Sequence, residues 1–104
     1  MNIYNYGSLK DFWLKHSQSK KVLELWYADV SSQEWKKPGD VKKDYATASI
    51  IGNNRVVFNI KGNDYRLIVE FNYQKGWAFI KFIGTHAEYD RVDAEKVDLY
   101  FRRK

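Results

Sequence analysis

Residues 55–71 read RVVFNIKGNDYRLIVEF, and the alternation within this stretch decides the fold. Side chains of an extended chain point to opposite sides in turn, so Val56, Phe58 and Ile60 share one face. After Gly62-Asn63, the residues Tyr65, Leu67, Val69 and Phe71 do the same. Gly62-Asn63 suits a two-residue hairpin loop, which sets Ile60 opposite Tyr65 and Asn59 opposite Arg66. Turn chemistry and alternation therefore agree on one antiparallel pair, Arg55 to Lys61 and Asp64 to Asn72. Tyr73-Gln74-Lys75-Gly76 marks a second reversal, and Gly76 to Ile83 reads as a third strand. Its Ala78, Ile80 and Phe82 continue the apolar face, while the other face gathers Arg55, Asn59, Lys61, Arg66, Glu70, Trp77, Phe79 and Lys81.

The apolar face needs a cover, and the upstream half supplies it. Leu9, Phe12, Trp13 and His16 recur at helical spacing after Ser8, a capping residue type. Leu23, Trp26, Tyr27 and Val30 repeat the pattern in a second helix from about Lys20 to Trp35, ended by Pro38-Gly39. Asp40 can cap one more turn through Tyr45, and Ala46 to Gly52 reads as a connecting loop. Trp13, Trp26 and Trp35 are expected in the core, and His16 at a helix end. Met1 to Tyr6 is compatible with an edge strand. The fold expected is α+β, a small antiparallel β-sheet with two N-terminal α-helices packed on one face. Residues 1–104 read as one domain, with about 95–104 as a tail.

The chain has 104 residues, enough to bury a single core. It has no cysteine, which excludes disulfides, thiolate nucleophiles and Cys-type zinc sites. With His16 and His86 its only imidazoles, no metal centre is expected, and no cofactor. The absence of a long apolar run or a leader-like start predicts a cytoplasmic protein with no membrane partner. Its net charge is +5, and 17% of its residues are aromatic. Residues 49–85 carry Arg55, Lys61, Arg66, Lys75 and Lys81 against only Asp64 and Glu70. A cationic sheet face with Trp77 and Phe79 among the charges suits a nucleic acid, whose bases stack and whose backbone is anionic; the alternatives are a plain solvent face and packing of Trp77 and Phe79 beneath the tail.

Beyond the third strand lies Gly84-Thr85-His86-Ala87-Glu88-Tyr89-Asp90. Imidazole titrates near neutrality, so His86 can take or give a proton in RNA cleavage. Tyr89, three residues on, supplies a phenol one helical turn away. Arg66 can grip a phosphate with two parallel donors and Lys81 with a point charge, stabilising the charge that builds as the 2′-hydroxyl attacks. Lys61 and Arg55, with Asn59 and Phe79, are candidates to seat the RNA strand. Lys36-Lys37, beside Pro38-Gly39, are candidate phosphate grips, offset by the nearby Asp40 and Asp44.

The run Gly84-Thr85-His86-x-x-Tyr89-Asp90, together with Asn53-Asn54-Arg55 and Gly62-Asn63-x-Tyr65-Arg66, resembles the HigB-type toxins of the RelE-like superfamily. The resemblance covers about residues 1–94. It implies the toxin half of a type II toxin–antitoxin pair: an mRNA interferase that cuts translated messages on the ribosome without a metal. It also implies a HigA-type helix-turn-helix antitoxin as partner, besides mRNA and ribosomal RNA. By similarity, Arg66 corresponds to the phosphate-contacting arginine, Lys81 to the basic strand residue, and His86 and Tyr89 to the signature pair. Members of the superfamily differ in which side chain acts as base. A non-catalytic RNA-binding domain, or a diverged subunit that only binds antitoxin, would present the same basic and aromatic face. Leu99-Tyr100-Phe101 could form a short strand and Arg102-Arg103-Lys104 a basic end.

Overall fold

A computed structural model describes residues 1–99. Its sheet has five strands in the order β1-β5-β4-β3-β2. These are β1 (Asn2–Tyr4), β2 (Ser49–Ile51), β3 (Arg55–Ile60), β4 (Tyr65–Asn72) and β5 (Trp77–Thr85). All pairs are antiparallel except β1 with β5. The central hairpin has the expected register, Ile60 opposite Tyr65 and Asn59 opposite Arg66. The strand stops at Ile60, however, and Lys61 enters the turn with φ 52°, so it leaves the outward face where it was expected.

Three helices cover one side: α1 (Tyr6–Lys15), α2 (Lys20–Ser31) and α3 (Pro38–Asp44). Leu9, Leu23, Trp26, Val30 and Val41 meet Val56, Phe58, Ile60, Leu67, Val69, Phe71 and Ile80 in one cluster. Trp35 is buried there as well, although it lies beyond α2, which ends at Ser31 rather than Trp35. Trp13 is only half-buried against this cluster. Two helix starts also differ from expectation. Helix α1 begins two residues before Ser8, behind the left-handed Asn5, and the Ser8 hydroxyl donates back to the Asn5 carbonyl at 2.6 Å. Pro38 opens α3 instead of ending a helix, since its missing N–H is not needed in a first turn. The segment expected as a loop contains β2, joined to β3 through Asn53 and Asn54, both left-handed.

The ladder between β4 and β5 slips by one residue. Ile68 faces Phe82 but Val69 faces Ile80, which leaves Lys81 as the extra residue of a β-bulge. The slip inverts the side-chain phase along the rest of β5. Ile83, not Phe82, joins the helix-covered core. Phe82 packs with Val57 and Ile68 on the opposite face, a correction to the unbroken alternation expected of this strand.

That opposite face has a layer of its own. After β5 comes the short helix α4 (His86–Tyr89), and the chain then crosses the sheet to Leu99. Tyr89, Val92, Ala94 and Val97 pack on Val57, Ile68 and Phe82, sealing a second, smaller apolar cluster. The Leu99 N–H donates to the Lys81 carbonyl at 3.1 Å. The rest of the expected strand and the Arg102-Arg103-Lys104 end lie outside the described residues.

Candidate active site

The C-terminal crossing segment divides the outer face of the sheet into a covered stretch and an open corner. In the covered stretch Arg55 is 5% exposed. Its Nε donates to Glu70 at 3.0 Å, and its Nη1 donates to the carbonyls of Ala94 and Val97 at 3.0 and 2.6 Å. Lys81 forms a 3.0 Å ion pair with Asp98, with both side chains mostly buried. Arg55, expected to seat RNA, has these donors turned to Glu70 and the crossing segment instead. Lys81, expected at the phosphate, is likewise turned to Asp98. It shares the outer face with Arg66, but Arg66 is paired with Gly84, three positions further along β5, or about 10 Å.

The open corner forms where the β3–β4 turn meets the N-terminal end of α4. Arg66 leaves β4 partly exposed, and one guanidinium nitrogen donates to the carbonyls of Asn63 and Tyr65 at 3.1 and 3.3 Å. Its charge stands 5.9 Å from the centre of the Tyr89 ring. Among the described residues no carboxylate pairs with it. His86 is exposed, and its Nδ1 lies 3.2 Å from Asp90 Oδ2. Its backbone N–H donates to the Asp64 carbonyl at 3.2 Å, which ties α4 to the same turn that anchors Arg66. The structure thus brings Arg66, His86 and Tyr89 together at one rim of the sheet.

A local reason for this arrangement can be read within the signature itself. Thr85 Oγ1 accepts from the Glu88 N–H at 3.2 Å, and Glu88 Oε1 accepts from the Thr85 N–H at 2.8 Å. This reciprocal pair is a capping box, which closes the first turn of α4 and fixes where His86 and Tyr89 emerge. Gly84 is held to glycine by its surroundings. A Cβ there would stand 2.6 Å from the Phe82 ring and 2.9 Å from Glu88 Oε1. The Thr-x-x-Glu spacing was the available signal for this box, and Asp90, four residues after His86, was the signal for a carboxylate that steadies the imidazole.

The remaining candidates lie elsewhere. Lys61 sits beside the corner, its ammonium 3.6 Å from Asp64 across an exposed turn. Asn59 is spent toward β2, donating to the Thr47 carbonyl at 3.4 Å. Lys36 and Lys37 are exposed at the start of α3, on the helix side of the sheet. The neighbouring Trp35 packs on Phe71, five residues along β4 from Arg66 and about 17 Å distant. Phe79 belongs to an aromatic group at the β1–β5 edge, stacked on Tyr4 with ring centres 5.0 Å apart. His16 closes α1 and stacks on Phe12. Among the described residues no three His, Asp or Glu side chains cluster as a metal site, and no helix is long and apolar enough to cross a membrane.

Residues 19–92 match the HigB toxin family, described as the RelE-like toxic component of a toxin–antitoxin system. That span runs from the start of α2 to just past α4 and includes Arg66, His86 and Tyr89. The chain is also 26% identical over 92 residues to the mRNA interferase toxin HigB of Escherichia coli K12. The aligned part covers 86% of this chain and 88% of that relative. The mRNA interferase HigB of Shigella flexneri is similar to the same degree.

Proposed function

This chain belongs to the HigB toxin family, and from that membership and the geometry of the open corner we propose that it is an mRNA interferase. A toxin of this kind has an antitoxin as its partner; we assign that role to a HigA-type helix-turn-helix protein. The substrate is messenger RNA in the course of translation on cytoplasmic ribosomes. The observation that carries the reading is the guanidinium of Arg66, free of any described carboxylate, resting on the Tyr89 ring beside the His86–Asp90 pair.

The chemistry follows from what those groups can do. Arg66 holds the non-bridging oxygens of the scissile phosphate with its outward donors and stabilises the charge that builds there. The ribose 2′-hydroxyl gives up its proton and attacks the adjacent phosphorus. The P–O bond to the 5′-oxygen breaks, and that oxygen takes up a proton. His86 and Tyr89 share these two transfers, with Asp90 orienting the imidazole. The step leaves a 2′,3′-cyclic phosphate and a free 5′-hydroxyl, and it calls on no metal. Lys61 adds positive potential at the entrance. Lys81 acts through the covered stretch, holding the crossing segment in place, instead of touching the phosphate.

The test is cleavage of a defined message in a translating extract, mapped by primer extension. Induced cuts should appear with the wild-type chain and vanish when the scissile ribose is 2′-deoxy. Cuts that persist in the deoxy substrate would overturn the 2′-hydroxyl route, and an absence of new 5′ ends would leave only RNA or antitoxin binding.

A further inference from the structure

At the edge of the outer face remote from His86, β1 and β5 gather three aromatic side chains, Tyr4 exposed and Trp77 and Phe79 half-buried. Trp77 and Phe79 are alternate residues of β5, with ring centres 6.0 Å apart and nearly perpendicular. Tyr4 on β1 stacks on Phe79 and touches the Trp77 ring edge at 6.1 Å between centres, and it is 42% exposed. Lysines stand over this group at either end, Lys75 4.9 Å from the Trp77 ring and Lys81 5.6 Å from the Phe79 ring. A groove of about 440 Å³ opens against Trp77 and Phe79, and its remaining wall joins Phe71 and Tyr73 to the polar Asn54, Glu70, Asn72 and Gln74.

We propose that this groove binds an unpaired nucleobase of the RNA substrate, several nucleotides from the scissile linkage. The inference rests on the interferase reading and extends it to a second contact along the strand. Partly exposed aromatics spaced by two residues on a sheet offer ring surface to which bases stack, whatever their sequence. The amide side chains and the free oxygen of Glu70 line the groove where a base edge would present donors and acceptors; the other oxygen is held by Arg55. A carboxylate in the wall disfavours a phosphate there and favours an amino or imino group, so the groove takes the base while Lys75 serves the backbone. Trp77 is paired with Asn72, six residues along β4 from Arg66, and so lies about 20 Å from the corner. An extended RNA strand passing over the crossing segment would span that distance.

The experiment compares Trp77→Leu, Trp77→Tyr and Phe79→Leu with the wild-type chain, each checked for native circular dichroism. Cleavage of a short message programmed on ribosomes should show KM raised about tenfold in Trp77→Leu, with kcat little changed and Trp77→Tyr close to wild type. In the His86→Gln background, binding of a single-stranded oligonucleotide should weaken by a similar factor when abasic residues replace the bases remote from the cut. If Trp77→Leu fails to fold, Phe79→Leu and the abasic substrate carry the same expectation. Unchanged KM together with equal affinity for the abasic strand would overturn the base site. So would a loss confined to antitoxin binding, which would make the aromatic group a protein-docking surface. Failure of the wild-type chain to cleave at all sinks the interferase reading instead, a result read independently of these variants.

Discussion

Arg55 and Arg66 lie on the same outer face, yet their surroundings give them opposite tasks. Arg55 is enclosed, with Glu70 on one side and two carbonyls of the crossing segment on the other. Arg66 uses one nitrogen to brace itself on its own turn and keeps the rest of its fork toward solvent. A cation is available to a ligand only where the fold has not already supplied it with acceptors. Counting charges on a strand face cannot reveal that, because the acceptors at Arg55 are backbone carbonyls from residues 94 and 97.

The contrast makes its largest prediction at Arg66. Arg66→Ala should lower cleavage by about 100-fold or more, while the unfolding midpoint stays near that of wild type. Removing Arg55 should do the reverse. Arg55→Leu leaves Glu70 and two carbonyls without their donor and should cost about 2–4 kcal/mol in chemical denaturation. The fraction that remains folded should cleave normally. A stable Arg55→Leu chain that no longer cleaves would erase the distinction between the two arginines.

A smaller effect is expected at Thr85, whose hydroxyl closes the capping box. Thr85→Ala should cost about 1 kcal/mol and loosen the first turn of α4, lowering kcat through His86 without touching substrate. Thr85→Ser should restore both values. If Thr85→Ala changes stability alone, the corner does not depend on that turn.

The mildest expectation concerns the helix-covered side, which serves as a reference for the outer face. Burial, then the hydrogen bond to Asp29, pushes the Tyr45 phenol well above its usual range, and burial raises Tyr73 to about 12. Below about pH 10 these tyrosines are neutral in both folded and unfolded chains, so their contribution is fully present. Above that, the unfolded chain ionises first, and stability should fall as pH climbs toward the folded values. Tyr45→Phe should flatten part of that decline in an alkaline denaturation series. An undiminished slope would locate the alkaline sensitivity elsewhere, the outer layer included.

Much of this fold is legible in the sequence because local signals and tertiary packing agree. The hairpin register between β3 and β4 follows from Gly62-Asn63 and alternation, and the faces of α1 and α2 follow from spacing. What could not be read that way depends on contacts between distant segments. The bulge at Lys81 has no turn residue to announce it, so unbroken alternation put Phe82 on the wrong face. The second cluster did leave a trace: Val57 and Ile68 are apolar at outward positions, and Val92, Ala94 and Val97 are apolar in a charged segment. Strand β2 was hidden because its left-handed loop is formed by Asn53 and Asn54 instead of glycine. At the candidate site, Arg66, His86 and Tyr89 could be named from a short signature and a hairpin. The diversion of Lys81 to Asp98 could not, since seventeen residues separate the pair.

The one-residue slip in β5 has a consequence for handedness at the rim. Upstream of Lys81 even-numbered residues look toward the helices; downstream the parity is exchanged. Pairing Lys81 in regular register, with no slip, would keep one parity along the strand, sending Gly84 inward and turning the start of α4 toward α1. The histidine and the tyrosine would then depart from the arginine's side of the sheet, so a single unpaired position works as the phase-setter that lets one continuous strand face two interiors.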